Sequence, residues 1–434
     1  MPCRSFSYQS PEDAAPIRAM LSGRDDPNNS VEPVVQDILA TVQKDGDAAL
    51  IAYTQKFDCP SFTSAMLRVP ATVLQNASQQ VPAEDLAIIL EAASNIRAFH
   101  ERQKQNSWFT TAEDGTVLGQ MVRPVDRVGL YVPGGQGGNT PLISSMLMNA
   151  IPAQVAGVPS IAVVSPPRED GTPNPYILAA AHALGIDEVY ACGSAWAIAA
   201  LAYGTESIAP VDVIAGPGNI FVATAKRMLI GKVGIDMIAG PSEILILADS
   251  TARPDQVAAD MLSQAEHDTL ASSVLITDSA ALADAVKAEL VIQTKALPRC
   301  DIARKALADW GAIVVTYTMD QAVELSNSIA PEHLEVIVAD PWTMLPKLRN
   351  AGAIFLGANS PEPVGDYFAG PNHVLPTNGT ARFSSALSVE TFTKKSSIIA
   401  ASAAFTQANA AKIARLARLE GLEAHARSAE SRTR

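Results

Sequence analysis

Hydrophobic and polar positions divide the 434-residue chain into two kinds of text. From Pro33 to Phe57, and again from Pro82 to Gln103, apolar residues recur at three- and four-residue spacing, the pattern of helices with one buried face. From Arg127 the text changes to short apolar, β-branched runs separated by Ala-rich segments of helical length. Arg127 to Val132, Ser160 to Ser165, Glu188 to Cys192 and Val211 to Ala215 read as strands. A second series begins near Gly240, with strands expected at Glu243 to Ala248, Ser273 to Thr277, Ala312 to Thr316, Leu334 to Val338 and Ala353 to Leu356. Strands alternating with helices build parallel sheets covered by helices, so two α/β domains are expected. After Pro376 the strand text stops. A helical tail from Gln407 to about Arg427 shows no core of its own, as expected of a segment that docks on a neighbour.

Composition narrows the class. With 48% apolar residues the chain has ample material for two cores, yet it contains no apolar run of about 18 residues and no charged-then-apolar leader. A soluble, cytoplasmic protein with no membrane partner is expected. The four cysteines lie far apart without a Cys-x-x-Cys pair, which argues against a disulfide framework and a thiolate metal site. A formal charge of −13 disfavours nucleic acid, leaving a small molecule as the expected partner.

Candidate chemistry gathers in the C-terminal half, which holds four of the six histidines, each near carboxylate, amide or glycine-rich text. Carboxylates, amides and imidazoles together suit zinc or manganese and leave groups for proton transfer. Gln264 and His267 follow a plausible helix start at Arg253-Pro254-Asp255. Three residues apart, they lie about 60° apart on one helix face and could reach one ion, although incidental surface residues give the same spacing. Glu332 and His333 precede the run Leu334 to Val338, where two separate proton-transfer roles, or a cap and a solvated histidine, are both open readings. The stretch Gly357 to His373 carries Asp366, Asn372 and His373 in a long loop, a feature that is usually functional. Glu420 and His425 are five residues apart, about 140° around a regular helix, so they share a face only if Gly421 perturbs it. Two glycine-rich turns, Pro133 to Gly138 and Ala215 to Asn219, follow strands and could bring backbone N–H groups to a pyrophosphate, but neither is Gly-x-Gly-x-x-Gly.

Taken together the motifs are more specific. Tyr131-Val-Pro-Gly-Gly135, Leu147-Met-Asn-Ala-Ile-Pro152, Gly216-Pro-Gly-Asn219, Asp236-Met-Ile-Ala-Gly-Pro-Ser-Glu243, Ser263-Gln-Ala-Glu-His267, Ala330-Pro-Glu-His-Leu-Glu335, Gly365-Asp-Tyr…Asn372-His-Val-Leu-Pro376 and Glu420-Gly-Leu-Glu-Ala-His425 closely resemble the histidinol dehydrogenase family, in order from about Arg123 to the C-terminus. The resemblance implies NAD-dependent, zinc-containing oxidation of L-histidinol to L-histidine through the aldehyde. It implies zinc held by Gln264, His267, Asp366 and His425, with Glu332 and His333 as the catalytic pair. Those four ligands and His333, together with Ser242 and Glu420, would contact substrate, and Tyr131, Trp196 and Asn219 would contact NAD.

The implied fold is two incomplete Rossmann-like, aldehyde-dehydrogenase-like domains with a helical N-terminal segment and a C-terminal helical tail exchanged in a homodimer. The implied division is 1–30 as N-terminal segment, 31–119 plus 240–376 as the domain carrying most of the zinc and catalytic site, 120–239 as the NAD-associated domain, and 377–434 as the tail. Trp196 stands where the family usually has Gln, and the text after Gly135 is about three residues longer than the common form. Two other readings keep part of this chemistry: a related zinc- and NAD-dependent dehydrogenase of another small polyol or sulfonated diol, and a zinc hydrolase, which needs no NAD.

Overall fold

The computed structural model describes residues 3–24, 31–135 and 138–433. Gln136 and Gly137 of the first glycine-rich turn therefore lie outside the described residues. In chain order the strands are β1 Arg4–Tyr8, β2 Trp108–Thr111, β3 Val117–Pro124, β4 Arg127–Tyr131, β5 Ser160–Ser165, β6 Val189–Ala191, β7 Val213–Ala215, β8 Gly234–Ile235, β9 Glu243–Ala248, β10 Ser272–Thr277, β11 Ala312–Thr316, β12 His333–Ile337, β13 Ala353–Leu356 and β14 Thr393–Ala400.

Among the described residues these strands form three sheets. β6-β5-β4-β7-β8 and β1-β11-β10-β9-β12-β13 are parallel throughout; β14-β3-β2 is antiparallel. Numbered within its own unit, each parallel sheet runs 3-2-1-4-5, and β1 adds an edge strand to the larger one. All nine strands expected from the apolar runs are present, eight of them within about a residue or two of the expected ends and Val213–Ala215 two residues shorter at its start.

Burial on both faces explains why these runs are continuously apolar rather than alternating. Val128, Leu130, Val163 and Val164 are fully buried between two helical layers. On one face lie the helices Ala71–Gln80, Ala83–Glu101, Ile143–Ala156 and Pro175–Ala183; on the other lie Glu32–Phe57, Ser194–Tyr203 and Ile220–Met228. The six-stranded sheet is covered by Pro254–Ala265, Ala280–Thr294 and Cys300–Trp310 on one side and by Ala14–Ser22 and Met319–Ile329 on the other.

This packing groups the chain differently from the expected division. Helices between 32 and 101 bury their apolar faces mainly on the five-stranded sheet, although Ala83–Glu101 also meets the segment 368–374. The N-terminal segment is not separate either, because β1 completes the six-stranded sheet by pairing with β11. Past Pro376 the chain does return to strand: β14 pairs with β3 along its full length. The tail then divides into Ala403–Leu419 and Glu423–Glu430, separated at Gly421, whose φ of +77° ends the helical path. Only Ala410, Ala414 and Ala426 are buried on those two helices.

Candidate active site

The candidate site forms at the amino-terminal edge of the six-stranded sheet, where β9 and β12 begin. The helix Met319–Ile329 ends on Ala330, a fully buried residue held at φ +55°, and the chain turns through Pro331 into Glu332 and His333. A non-glycine residue in that region costs on the order of 1–3 kcal/mol, and such residues concentrate at functional sites.

Glu243, the first residue of β9, grips both members of the pair through its backbone. Its N–H donates to Glu332 Oε2 at 2.8 Å, and its carbonyl lies 2.9 Å from His333 Nδ1. With Nδ1–H donating to that carbonyl, Nε2 is left for chemistry. Burial pushes the Glu332 carboxyl up to about 8, with Glu243 adding repulsion and His333 opposing it. Burial acts to lower the pKa of His333, but Glu332, Glu362 and Asp366 outweigh it and hold the imidazole well above its ordinary value.

Asp366 comes from a π-helical segment, Gly365–Ala369, a local widening that often marks functional positions. A Cβ at Gly365 would sit 2.6 Å from the Phe355 ring, which itself lies 6.0 Å from the His333 ring. Glycine is therefore needed to bring Asp366 in. Asp366 Oδ1 stands 3.5 Å from His333 Nε2, and burial is overcome by this neighbour so that its carboxyl is held below the usual range.

Gln264 lies in the last turn of Pro254–Ala265, which starts with proline at a position whose amide needs no helical partner. It is fully buried, yet neither amide atom has a hydrogen-bond partner. His373 Nε2 is likewise buried without a hydrogen bond, and Asp366 Oδ1 and His333 Nε2 have only each other, at 3.5 Å. Each such atom costs about 1–3 kcal/mol, which fits a site completed by a ligand. His267, just past the helix end, is exposed; the protein around its ring lowers its pKa while Asp366 pulls it up. Imidazole, carboxylate and amide form a donor set compatible with zinc.

Glu243 and three further carboxylates, Glu362, Glu335 and Asp260, were not anticipated from sequence. His333, Glu362 and Asp366 offer ligand atoms within 4.8 Å of one another, a group able to hold a cation. Glu362 accepts from Ser263 Oγ at 3.2 Å and is pushed up to about 7, chiefly by burial. Its signal was a carboxylate between two prolines, Pro361 and Pro363. Behind it, Glu335 accepts from the Glu362 N–H at 2.7 Å, and Glu335 and Asp260 are both raised, by burial and, for Glu335, by repulsion from its neighbours. A charge inside the buried strand His-Leu-Glu-Val-Ile was the available clue.

The remaining expected residues divide into two groups. Ser242 is at the site, its carbonyl accepting from Ser272 N–H at 3.1 Å. Glu420 and His425 are exposed on the tail, and neither appears among the groups acting on the buried cluster. Tyr131, Trp196 and Asn219 lie at the opposite kind of edge, Tyr131 ending β4 and the other two following β6 and β7. Tyr131 is buried and its hydroxyl accepts from Ser194 N–H at 3.2 Å. Asn219 Oδ1 caps the helix Ile220–Met228 by accepting from Phe221 and Val222. The preceding turn is pinned by buried Lys226 and Asp236, which bond the carbonyl and N–H of Gly216 at 2.9 and 2.8 Å. A Cβ at Gly216 would meet the Tyr131 carbonyl at 2.1 Å.

Trp196 is held in the packing of its own chain, with its indole Nε1 buried and without a hydrogen-bond partner. Its ring is stacked with Tyr53 at 5.5 Å and Phe57 at 5.6 Å, within the packing between two helices, and only 5% of the residue is exposed.

The two edges face a common region, since Asn372 donates to the carbonyl of Met148, on the helix that follows β4, at 2.7 Å. Fold and site thus define an α/β protein with a buried acid–base cluster and a donor set suited to a metal. A histidinol dehydrogenase family model matches residues 22–433. The histidinol dehydrogenase of Oleidesulfovibrio alaskensis is 70% identical over 432 residues, covering 100% of both chains. That of Nitratidesulfovibrio vulgaris is 68% identical, covering 100% of this chain and 99% of the other. The crystal structure of histidinol dehydrogenase from Elizabethkingia anophelis superposes with a TM-score of 0.93 at 35% identity, over 99% of this chain and 98% of that one. The chain belongs to the histidinol dehydrogenase family.

Proposed function

We propose that this protein oxidises L-histidinol to L-histidine through L-histidinal, the closing step of histidine biosynthesis, delivering two hydrides in succession to NAD. The observation that carries the reading is the convergence of Glu332, His333, Glu362 and Asp366 at one buried edge, in a chain 70% identical to a histidinol dehydrogenase.

Loss of hydride from an alcohol carbon requires loss of the hydroxyl proton, and His333 Nε2 is the group to accept it. The surrounding carboxylates favour the imidazolium that forms when the proton arrives. Oxidation of the aldehyde requires water to add first. Glu332, more basic than an ordinary carboxylate, takes that water's proton, and His333 serves again as the second hydride leaves. Gln264, His267, Asp366 and the partner subunit's His425 would hold zinc, which when bound anchors the amino and imidazole nitrogens of the substrate. Ser242 and the partner's Glu420 complete the substrate contacts.

Tyr131 and Asn219 are the proposed NAD contacts, where the bound nicotinamide would accept hydride. They lie at the point where the 3-2-1-4-5 order reverses, the usual position for dinucleotides in incomplete Rossmann-like units. An exchanged homodimer supplies the tail residues: Leu416, Leu419 and Leu422 are exposed beside Glu420 and His425, an apolar surface suited to a second copy. Among the described residues no helix is long and apolar enough to cross a membrane, and a cytoplasmic location suits a biosynthetic enzyme drawing on NAD.

With limiting L-histidinol and excess NAD, the purified protein is expected to form two NADH per substrate, as a four-electron oxidation requires. His333→Asn should slow both steps, whereas Glu332→Gln should mainly slow the aldehyde step, which alone needs water. A wild-type yield of one NADH or none overturns the reading.

A further inference from the structure

Arg24 and Glu243 form an ion pair sealed beneath the site, with side-chain exposures of 1% and 6%. Buried ion pairs seldom add net stability over apolar residues of the same volume, so the connections of this pair carry its meaning. Arg24 comes from the segment that begins with β1, more than two hundred residues from Glu243 in sequence. Its Nε donates to the Leu21 carbonyl at 3.2 Å, Nη1 to the Ser242 carbonyl at 3.4 Å, and Nη2 to both Glu243 and Asn378 Oδ1, the latter at 3.3 Å. Glu243 Oε1 also accepts from the Asn378 N–H at 2.9 Å, while Oε2 lies 3.4 Å from the Glu332 N–H. One guanidinium therefore ties together the two residues that open β9 and the turn that follows Pro376. The backbone of the same Glu243 holds Glu332 Oε2 and His333 Nδ1.

We propose that Arg24 is a positioning residue for the Glu332–His333 pair, acting through Glu243: it fixes the first peptide of β9, whose N–H and carbonyl aim the two reacting side chains. The proposal rests on the acid–base reading of Glu332 and His333 above. Arg24 touches neither substrate nor cofactor in this account. Removing it leaves the Glu243 carboxylate buried without its cation, free to turn toward another donor and carry the peptide with it. Displacement of a reacting group by about an ångström costs on the order of a hundredfold in rate.

A cavity of about 520 Å³ lined by Arg18, Arg24, Glu243, Asn378 and Arg382, among others, borders the guanidinium. An Arg24→Ala variant therefore opens a guanidinium-sized space onto a region that small solutes reach. Arg24→Ala is expected to lower kcat for histidinol by roughly 10- to 100-fold with KM within about threefold of wild type. Bound metal per subunit should be unchanged. Guanidinium chloride at non-denaturing concentration should recover part of the lost kcat, while equal sodium chloride or urea should not. Arg24→Lys, which keeps a cation, should retain more activity than Arg24→Ala. If Arg24→Ala does not fold, Arg24→Ala/Glu243→Gln removes the stranded charge, and a lowered kcat in that folded double variant supports the same role.

Wild-type kcat in either folded variant overturns the proposal, as does a loss that guanidinium leaves untouched and that tracks only the folded fraction. His333→Asn measured alongside separates the two claims. If it turns over normally, the acid–base reading falls and the proposal with it; if it is impaired while Arg24→Ala is not, the positioning role alone is wrong.

Discussion

The two parallel sheets share the strand order 3-2-1-4-5, yet the residues gathered at their ends differ in kind. At the amino edge of the six-stranded sheet lie Glu243, Glu332, His333, Glu362 and Asp366, all buried. At the carboxyl edge of the five-stranded sheet lie a pinned glycine turn, a capped helix start and a buried tyrosine. Carboxyl edges at a change of strand order suit dinucleotides because helix N-termini converge there. An amino edge has no such advantage for a phosphate. Its backbone can instead be used to orient side chains, as Glu243 does with one N–H and one carbonyl. The difference teaches that one topology can present different chemistry at its two ends: oriented side chains at an amino edge, and a glycine turn with a helix start at a carboxyl edge.

The sharpest way to break this comparison starts with Trp196. If the indole belongs to helix packing rather than to the cofactor edge, Trp196→Ala should cost about 3–5 kcal/mol of stability, as large-to-small core changes do. The NAD concentration for half-maximal rate should stay as in wild type. A raised NAD requirement with little loss in melting temperature would return Trp196 to the cofactor site.

A smaller effect tests the buried charge of the other edge. The folded-state pKa of Glu335 is raised, so its contribution to stability is full below the ordinary carboxylate range and is lost as pH rises through the raised value. Glu335→Gln cannot ionise and should gain on wild type by about 1–3 kcal/mol at alkaline pH, and little near pH 4. Thermal melts of both proteins across that range check the sign. A constant difference with pH would mean Glu335 is not held against its charge.

Sequence patterning revealed nine strands of the two parallel sheets, most of them buried on both faces, since burial forces such runs to be apolar throughout. It did not reveal β1, β2, β3, β8 or β14. Thr-Lys-Lys-Ser-Ser-Ile-Ile-Ala, the text of β14, is polar at one end and becomes a strand only by pairing with β3, far away in sequence. The motifs carried Glu332, His333 and Asp366, which lie against one another, and His267, within electrostatic reach of Asp366. Glu362 was passed over because prolines on both sides made it read as loop. The packing of Trp196 was not legible, because its neighbours, Tyr53 and Phe57, come from a helix whose docking the local text does not encode.

The division of labour between the two edges is tested most directly by measuring NAD affinity and bound metal per subunit in two variants. Asp366→Ala is expected to lose the metal while binding NAD within about twofold of wild type. Asn219→Asp keeps a side chain able to cap Ile220–Met228 but places a negative charge where a pyrophosphate would lie. It is expected to keep the metal and weaken NAD binding by roughly tenfold, about 1.4 kcal/mol. If each variant loses both ligands, or Asn219→Asp binds NAD as wild type does, the assignment of one job to each edge is contradicted.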